Sequence, residues 1–126
     1  MNVCVYDSNT IVYKGLVSVL LDFKIQFNLV NKKNINDIAK IEDNILVIEE
    51  QFTFLIDSDF KCSILVLSHD ENIANAHLKF IPNGVVNVFN NTEVFIQALN
   101  VIKIGGLYLP KDLFLNVENN KADRVT

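Results

Sequence analysis

Basic residues are few and scattered in this chain. Lys and Arg number 11 against 15 Asp and Glu, the formal charge is -4, and no basic run is longer than Lys32-Lys33. Such a surface offers no electrostatic footprint for a nucleic acid or an acidic membrane. Cysteine is scarce too: Cys4 and Cys62 sit at the start of apolar runs, with no Cys-x-x-Cys or Cys/His spacing. That excludes a metal site of the usual kinds and reads as buried free thiols in a reducing compartment. No apolar run approaches the roughly 20 residues that span a bilayer, and no basic stretch opens the N-terminus. A cytoplasmic protein with no membrane contact is expected. The loop after the first apolar run, Asp7-Ser8-Asn9-Thr10, holds no glycine, so it lacks the Gly-rich cradle that binds a phosphate. Neither a metal nor a cofactor is expected.

What the chain does have is core. Half of its 126 residues are apolar, enough for one globular domain. Short apolar runs of strand length alternate with segments of helical period. The first strand is expected at Asn2 to Tyr6, before a helix capped by Ser8, Asn9 or Thr10 with Ile11, Leu16, Val19, Leu20 and Phe23 as its stripe. A second strand, Ile25 to Asn31, leads to a short helix from Asn34 to about Ile41. The third, Asn44 to Ile48, is apolar on consecutive positions, as in a parallel strand covered on both faces. It ends in Glu49-Glu50, and the brief stretch before Ser63 leaves room only for a short helix around Phe52 to Asp57.

The fourth strand, Ser63 to Leu67, runs into Ser68-His69-Asp70 and a helix from Glu71 to Phe80. Pro82-Asn83-Gly84 turns into a fifth strand, Val85 to Phe89, which ends at Asn90-Asn91. Thr92 is the expected cap of a last helix, Glu93 to Ile104, stopped by Gly105-Gly106. A short helix at Lys111 to Leu115 follows. The domain is placed at 1–115, and the polar residues 116–126 read as the start of a linker. Repeated βα units with short loops imply right-handed crossovers, hence a five-stranded parallel, doubly wound α/β sheet of flavodoxin or receiver type with a shortened third helix. The ligand edge of such a sheet lies at the strand carboxyl ends, where Asp7, Glu49, Ser68 and Asn91 would gather.

The run Val3 to Leu16, with its strand ending in an acid and its Gly15-Leu16 one turn into the helix, resembles the opening of bacterial response-regulator receiver domains of the NarL/LuxR type. Ser63 to Ser68, Pro82 to Phe89 and Val101 to Pro110, with its Gly-Gly-Leu-Tyr-Leu, are similar to the fourth strand, the fifth strand and the exit of that subfamily. The resemblance covers residues 2 to 115. It implies a pocket in which two acids after strand 1 and a phosphoacceptor Asp after strand 3 hold Mg²⁺, with a Ser/Thr after strand 4 and a Lys after strand 5. Here Asp7 matches the first acid and Ser8 stands at the second. Glu49, or Glu50 after a one-residue slip, falls at the phosphoacceptor. Ser68 is retained, and Asn91, or Asn90 after a slip, replaces the Lys.

These departures remove most of what phosphoryl transfer needs: a divalent ion in octahedral oxygen ligation and a cation on the transferred group. Glu is also one methylene longer than Asp, away from in-line geometry. The expectation is an atypical, phosphorylation-independent receiver domain, not an enzyme. It would be homodimeric and would belong to a transcription regulator that contacts DNA only through a C-terminal domain outside this chain. A regulatory protein or small ligand would supply the signal.

Asp7 is read as a cap of the first helix, with a residual cation role as the alternative. Glu49 is either a fixed charge imitating phospho-Asp or a solvated strand-end acid. Ser68 either couples the pocket to the following helix or caps it. His69 and His77 read as surface residues, and Phe52, Phe54 and Leu55 as core, with a plug at the vacated pocket edge as the alternative. The last helix is apolar over more than one face, which suits a dimer surface. The competing class is a stand-alone flavodoxin-like enzyme or cofactor carrier; no Asp-x-His-x-x-Gly signature or strand-end Cys nucleophile speaks for it.

Overall fold

The structure is a computed structural model that describes residues 1–69 and 78–109. Within them the chain runs β1 (Asn2–Tyr6), α1 (Ile11–Asp22), β2 (Phe27–Val30), α2 (Ile35–Ala39), β3 (Asn44–Glu49), a 3-10 helix (Glu50–Leu55), β4 (Ser63–Ser68), β5 (Gly84–Asn87) and α3 (Thr92–Lys103). All pairings are parallel and the strand order is β2-β1-β3-β4-β5. This is the expected doubly wound α/β sheet. The helix expected from Glu71 lies outside the described residues except at 78–80, which are not helical. The helix at Lys111 to Leu115, the tail and His77 lie outside them altogether.

Side-chain alternation divides the core in two. Val3, Val5, Ile45, Val47, Leu65 and Leu67 face one side and pack with Leu16 and Leu20 of α1 and Phe95, Leu99 and Ile102 of α3. The intervening Cys4, Tyr6, Leu46, Ile48, Ile64 and Val66 face the other and pack with Ile35 and Ala39 of α2. Every residue of β3 is buried, which is why its sequence shows no polar alternation. Phe52 and Leu55 of the 3-10 helix pack on this second core, Phe52 with its ring 5.3 Å from that of Tyr6. Phe54, expected in the core, is 66% exposed because the 3-10 turn points it away from its two neighbours.

Both long helices end in Schellman motifs. At α3, Gly105 takes φ +83° while the N–H groups of Gly105 and Gly106 donate to Ile102 and Val101. At α1 the same pair of bonds runs from Lys24 and Ile25 to Leu21 and Leu20, with Lys24 at φ 56°. The motif consumes Ile25, so β2 starts later than its apolar pattern suggests. Beyond α3, Tyr108 bridges to Gly84: Val85 N–H donates to the Tyr108 carbonyl and Tyr108 N–H to Asn83, each at 2.9 Å. Among the described residues no helix is long and apolar enough to cross a membrane.

Candidate functional site: the carboxyl edge of the sheet

The pairing Val5 with Val47 and Glu49 with Leu67 brings the ends of β1, β3 and β4 to one edge. Glu49 closes β3 there and is only 4% exposed, so it is not a solvated strand-end acid. Its carboxylate is surrounded by donors. Ser8 Oγ donates to Oε2. Thr10 Oγ1 lies 3.0 Å from Oε1 and 2.9 Å from Oε2, and Gln51 Nε2 donates to Oε1 at 3.3 Å. His69 Nε2 stands 3.4 Å from Oε1. A buried carboxylate without such partners would be costly, and here the chain supplies them from three segments.

Thr10 is also the N-cap of α1: its Oγ1 accepts the Tyr13 N–H at 3.1 Å. Of the three cap candidates, the sequence could not choose, and Asp7 does not cap the helix. The exposed Asp7 accepts the Asn9 N–H at 3.2 Å, a two-residue Asx turn that accompanies Asn9 at φ 56°. Its charge still reaches the neighbouring phenols: burial first, and Asp7 second, raise the Tyr6 and Tyr13 hydroxyls above their ordinary range.

Glu50 has a different partner. Its Oε2 accepts Ser68 Oγ at 2.8 Å, and its carbonyl accepts Thr53 Oγ1 at the same distance. Ser68 is fully buried at the end of β4. The two acids at the end of β3 therefore serve two sites, Glu49 toward β1 and Glu50 toward β4.

Asn91 is not drawn to this cluster. β5 ends at Asn87 opposite Ser68, and Val88 N–H donates to the Ser68 carbonyl at 2.9 Å. Asn87 Oδ1 takes the Phe89 N–H and its carbonyl the Asn90 N–H, which folds the chain into a turn two residues before the expected strand end. Asn91 lies beyond that turn as the N-cap of α3, in place of Thr92, accepting Val94 N–H at 3.1 Å. The residue directly past β5 on this edge is the apolar Val88.

Of the five residues expected in the pocket, Ser8 meets Glu49, Ser68 meets Glu50 on the same edge, Asp7 stands exposed beside them, and Asn91 lies beyond the turn after β5. The sequence pattern does not single out Thr10, Gln51 or the Glu50–Ser68 bond, while His69 is an exposed residue, as expected, whose ring reaches back to within 3.4 Å of Glu49. Three hydroxyl or amide donors within reach of a strand-end acid were the available signal. Among the described residues no group of three or more His, Cys, Asp or Glu is placed to hold a metal ion.

The strand order and the helical cover on both faces are those of a receiver/flavodoxin-like α/β fold. Among solved structures, the chain is similar to the isolated receiver domain of RcsB from Salmonella enterica serovar Typhimurium in its apo form (TM-score 0.67, 23% identity, 94% of this chain and 98% of that one). The same domain with the phosphomimetic BeF3- gives TM-score 0.65 at 21% identity, over 92% and 97% of the two chains. A structure of two RcsB dimers bound to two parallel DNAs gives 0.63 at 22%, over 94% of this chain and 68% of that one. No family model and no curated protein matches the chain.

Proposed function

We propose that this chain is a non-enzymatic, phosphorylation-independent receiver domain of a response-regulator transcription factor. It regulates output by self-association and contacts with a partner or ligand. The observation that carries the reading is the state of Glu49, the acid we take to stand at the phosphoacceptor position: it is buried, its oxygens are engaged by Ser8, Thr10 and Gln51, and His69 stands beside them. Attack on a phosphoryl donor requires an accessible carboxylate aligned in line, and an ion to offset phosphate charge. Ser8 replaces a carboxylate that would hold the ion, and Val88 brings no charge to the end of β5.

Homodimerisation and DNA binding through a further domain are proposed by analogy with the RcsB dimers seen on DNA. On α3, Phe95, Ala98, Leu99 and Ile102 are buried and Val94 and Ile96 pack against the first core, so most of its apolar surplus is spent internally. Ile104, at 85% exposure just past its end, is not. Size-exclusion chromatography with light scattering tests the reading. Self-association should be the same with and without Mg²⁺ and beryllofluoride; a strong response to them would refute it.

A further inference from the structure

Two of the groups around Glu49, the Ser8 and Thr10 hydroxyls, are held by bonds that do not depend on it. Thr10 Oγ1 is fixed by capping Tyr13 N–H of the 12-residue helix α1. Ser8 N–H donates to the Tyr6 carbonyl at 3.1 Å, and Ser8 Oγ also lies 3.4 Å from the Thr10 N–H. His69 follows directly on β4, whose last residue, Ser68, donates to Glu50. Two hydroxyls, one amide and one imidazole therefore converge on one spot from three segments. The neighbouring carboxylate, Glu50, is directed to Ser68. Hydroxyl and amide donors converging on one buried spot, some of them fixed in advance, are what binds a carboxylate or similar oxyanion.

We infer that this edge is an oxyanion-binding site occupied from within, with Glu49 as its built-in ligand. The inference rests on the proposed reading of the edge as one that takes no external phosphoryl group, and it supplies the reason: the space and the donors are already filled. Removing the Glu49 side chain leaves an anion-shaped opening lined by Ser8, Thr10, Gln51 and His69. A small carboxylate from solution should fill it.

The test is chemical rescue of Glu49→Ala, with thermal unfolding followed in acetate and in chloride at equal ionic strength. Acetate should raise the Tm of Glu49→Ala saturably, by on the order of 5 °C, while the wild type and the neutral, similarly sized Glu49→Gln respond to the two salts alike. Adding Ser8→Ala to Glu49→Ala should weaken acetate binding about tenfold, because one donor to a charged oxygen is lost. If Glu49→Ala is unfolded in chloride, recovery of its circular dichroism in acetate supports the inference. No folding in acetate, equal effects of acetate and chloride, or unchanged rescue without Ser8 overturns it. Phosphorylation of the wild type would instead refute the underlying reading, whatever the rescue shows.

Discussion

Thr10 and Glu49, 39 positions apart, share a hydroxyl that also starts a helix: Thr10 Oγ1 accepts the Tyr13 N–H and stands about equally far from both Glu49 oxygens. Thr10→Ala removes a cap, worth about 1 kcal/mol, and a donor to a buried carboxylate, worth about 1–2 kcal/mol more. A total loss of about 2–3 kcal/mol is expected in urea unfolding. Thr10→Ser should restore most of it, and Thr10→Asn, a good cap without the same reach, about the cap's share alone.

Lys24 is the only described residue with a long side chain in the left-handed region, at the C′ position of α1. That conformation costs a side-chain-bearing residue about 1–2 kcal/mol, part of which glycine returns as unfolded-state entropy. Lys24→Gly should stabilise the protein by about 0.5–1 kcal/mol, and Gly105→Ala at the matching position of α3 should destabilise it by about 1 kcal/mol. The urea midpoint reads both.

Gly84 opens β5 where a Cβ would meet Ile102 Cδ1 at 2.9 Å, Leu65 Cδ1 at 3.0 Å and the Tyr108 carbonyl oxygen at 3.3 Å. The side chains can turn, but the carbonyl is held by Val85 N–H. Gly84→Ala should cost about 1–3 kcal/mol as overpacking, and amide exchange should quicken at Val85 and Tyr108 before it does in β3.

Burial pushes the Cys62 thiol up to about 11 from an ordinary 9.0, with nearby Cys4 adding to it, and burial raises Cys4 as well. Both thiols should react slowly with maleimide at neutral pH in the native state. Because the folded-state value is the higher one, the stability linked to Cys62 is complete below pH 9 and is lost as the pH rises through about 11. The slope from this group is about 1.4 kcal/mol per pH unit. Cys62→Ala should flatten the alkaline limb of a stability–pH profile by that amount.

The architecture was legible because each of β1, β3 and β4 is a consecutive apolar run that only a two-faced parallel sheet can bury. Glu49 and Ser68 were placeable because both close such runs. What the pattern could not carry is which short polar side chain reaches which acid. Ser8, Asn9 and Thr10 are interchangeable as caps in sequence, and only the turn set by Asn9 at φ 56° turns Thr10 inward and Asp7 outward. Asn91 was misjudged for a similar reason: the bonds of Asn87 to Phe89 and Asn90 end β5 early, although Val88 and Phe89 are good strand formers.

Glu49, buried under its own donors, is expected to accept no phosphoryl group. Intact-mass measurement of the chain after incubation with acetyl phosphate and Mg²⁺ tests it most directly. The mass should stay unchanged; stoichiometric acid-labile phosphate located on Glu49 or Asp7 would show instead that the edge is open to phosphoryl transfer.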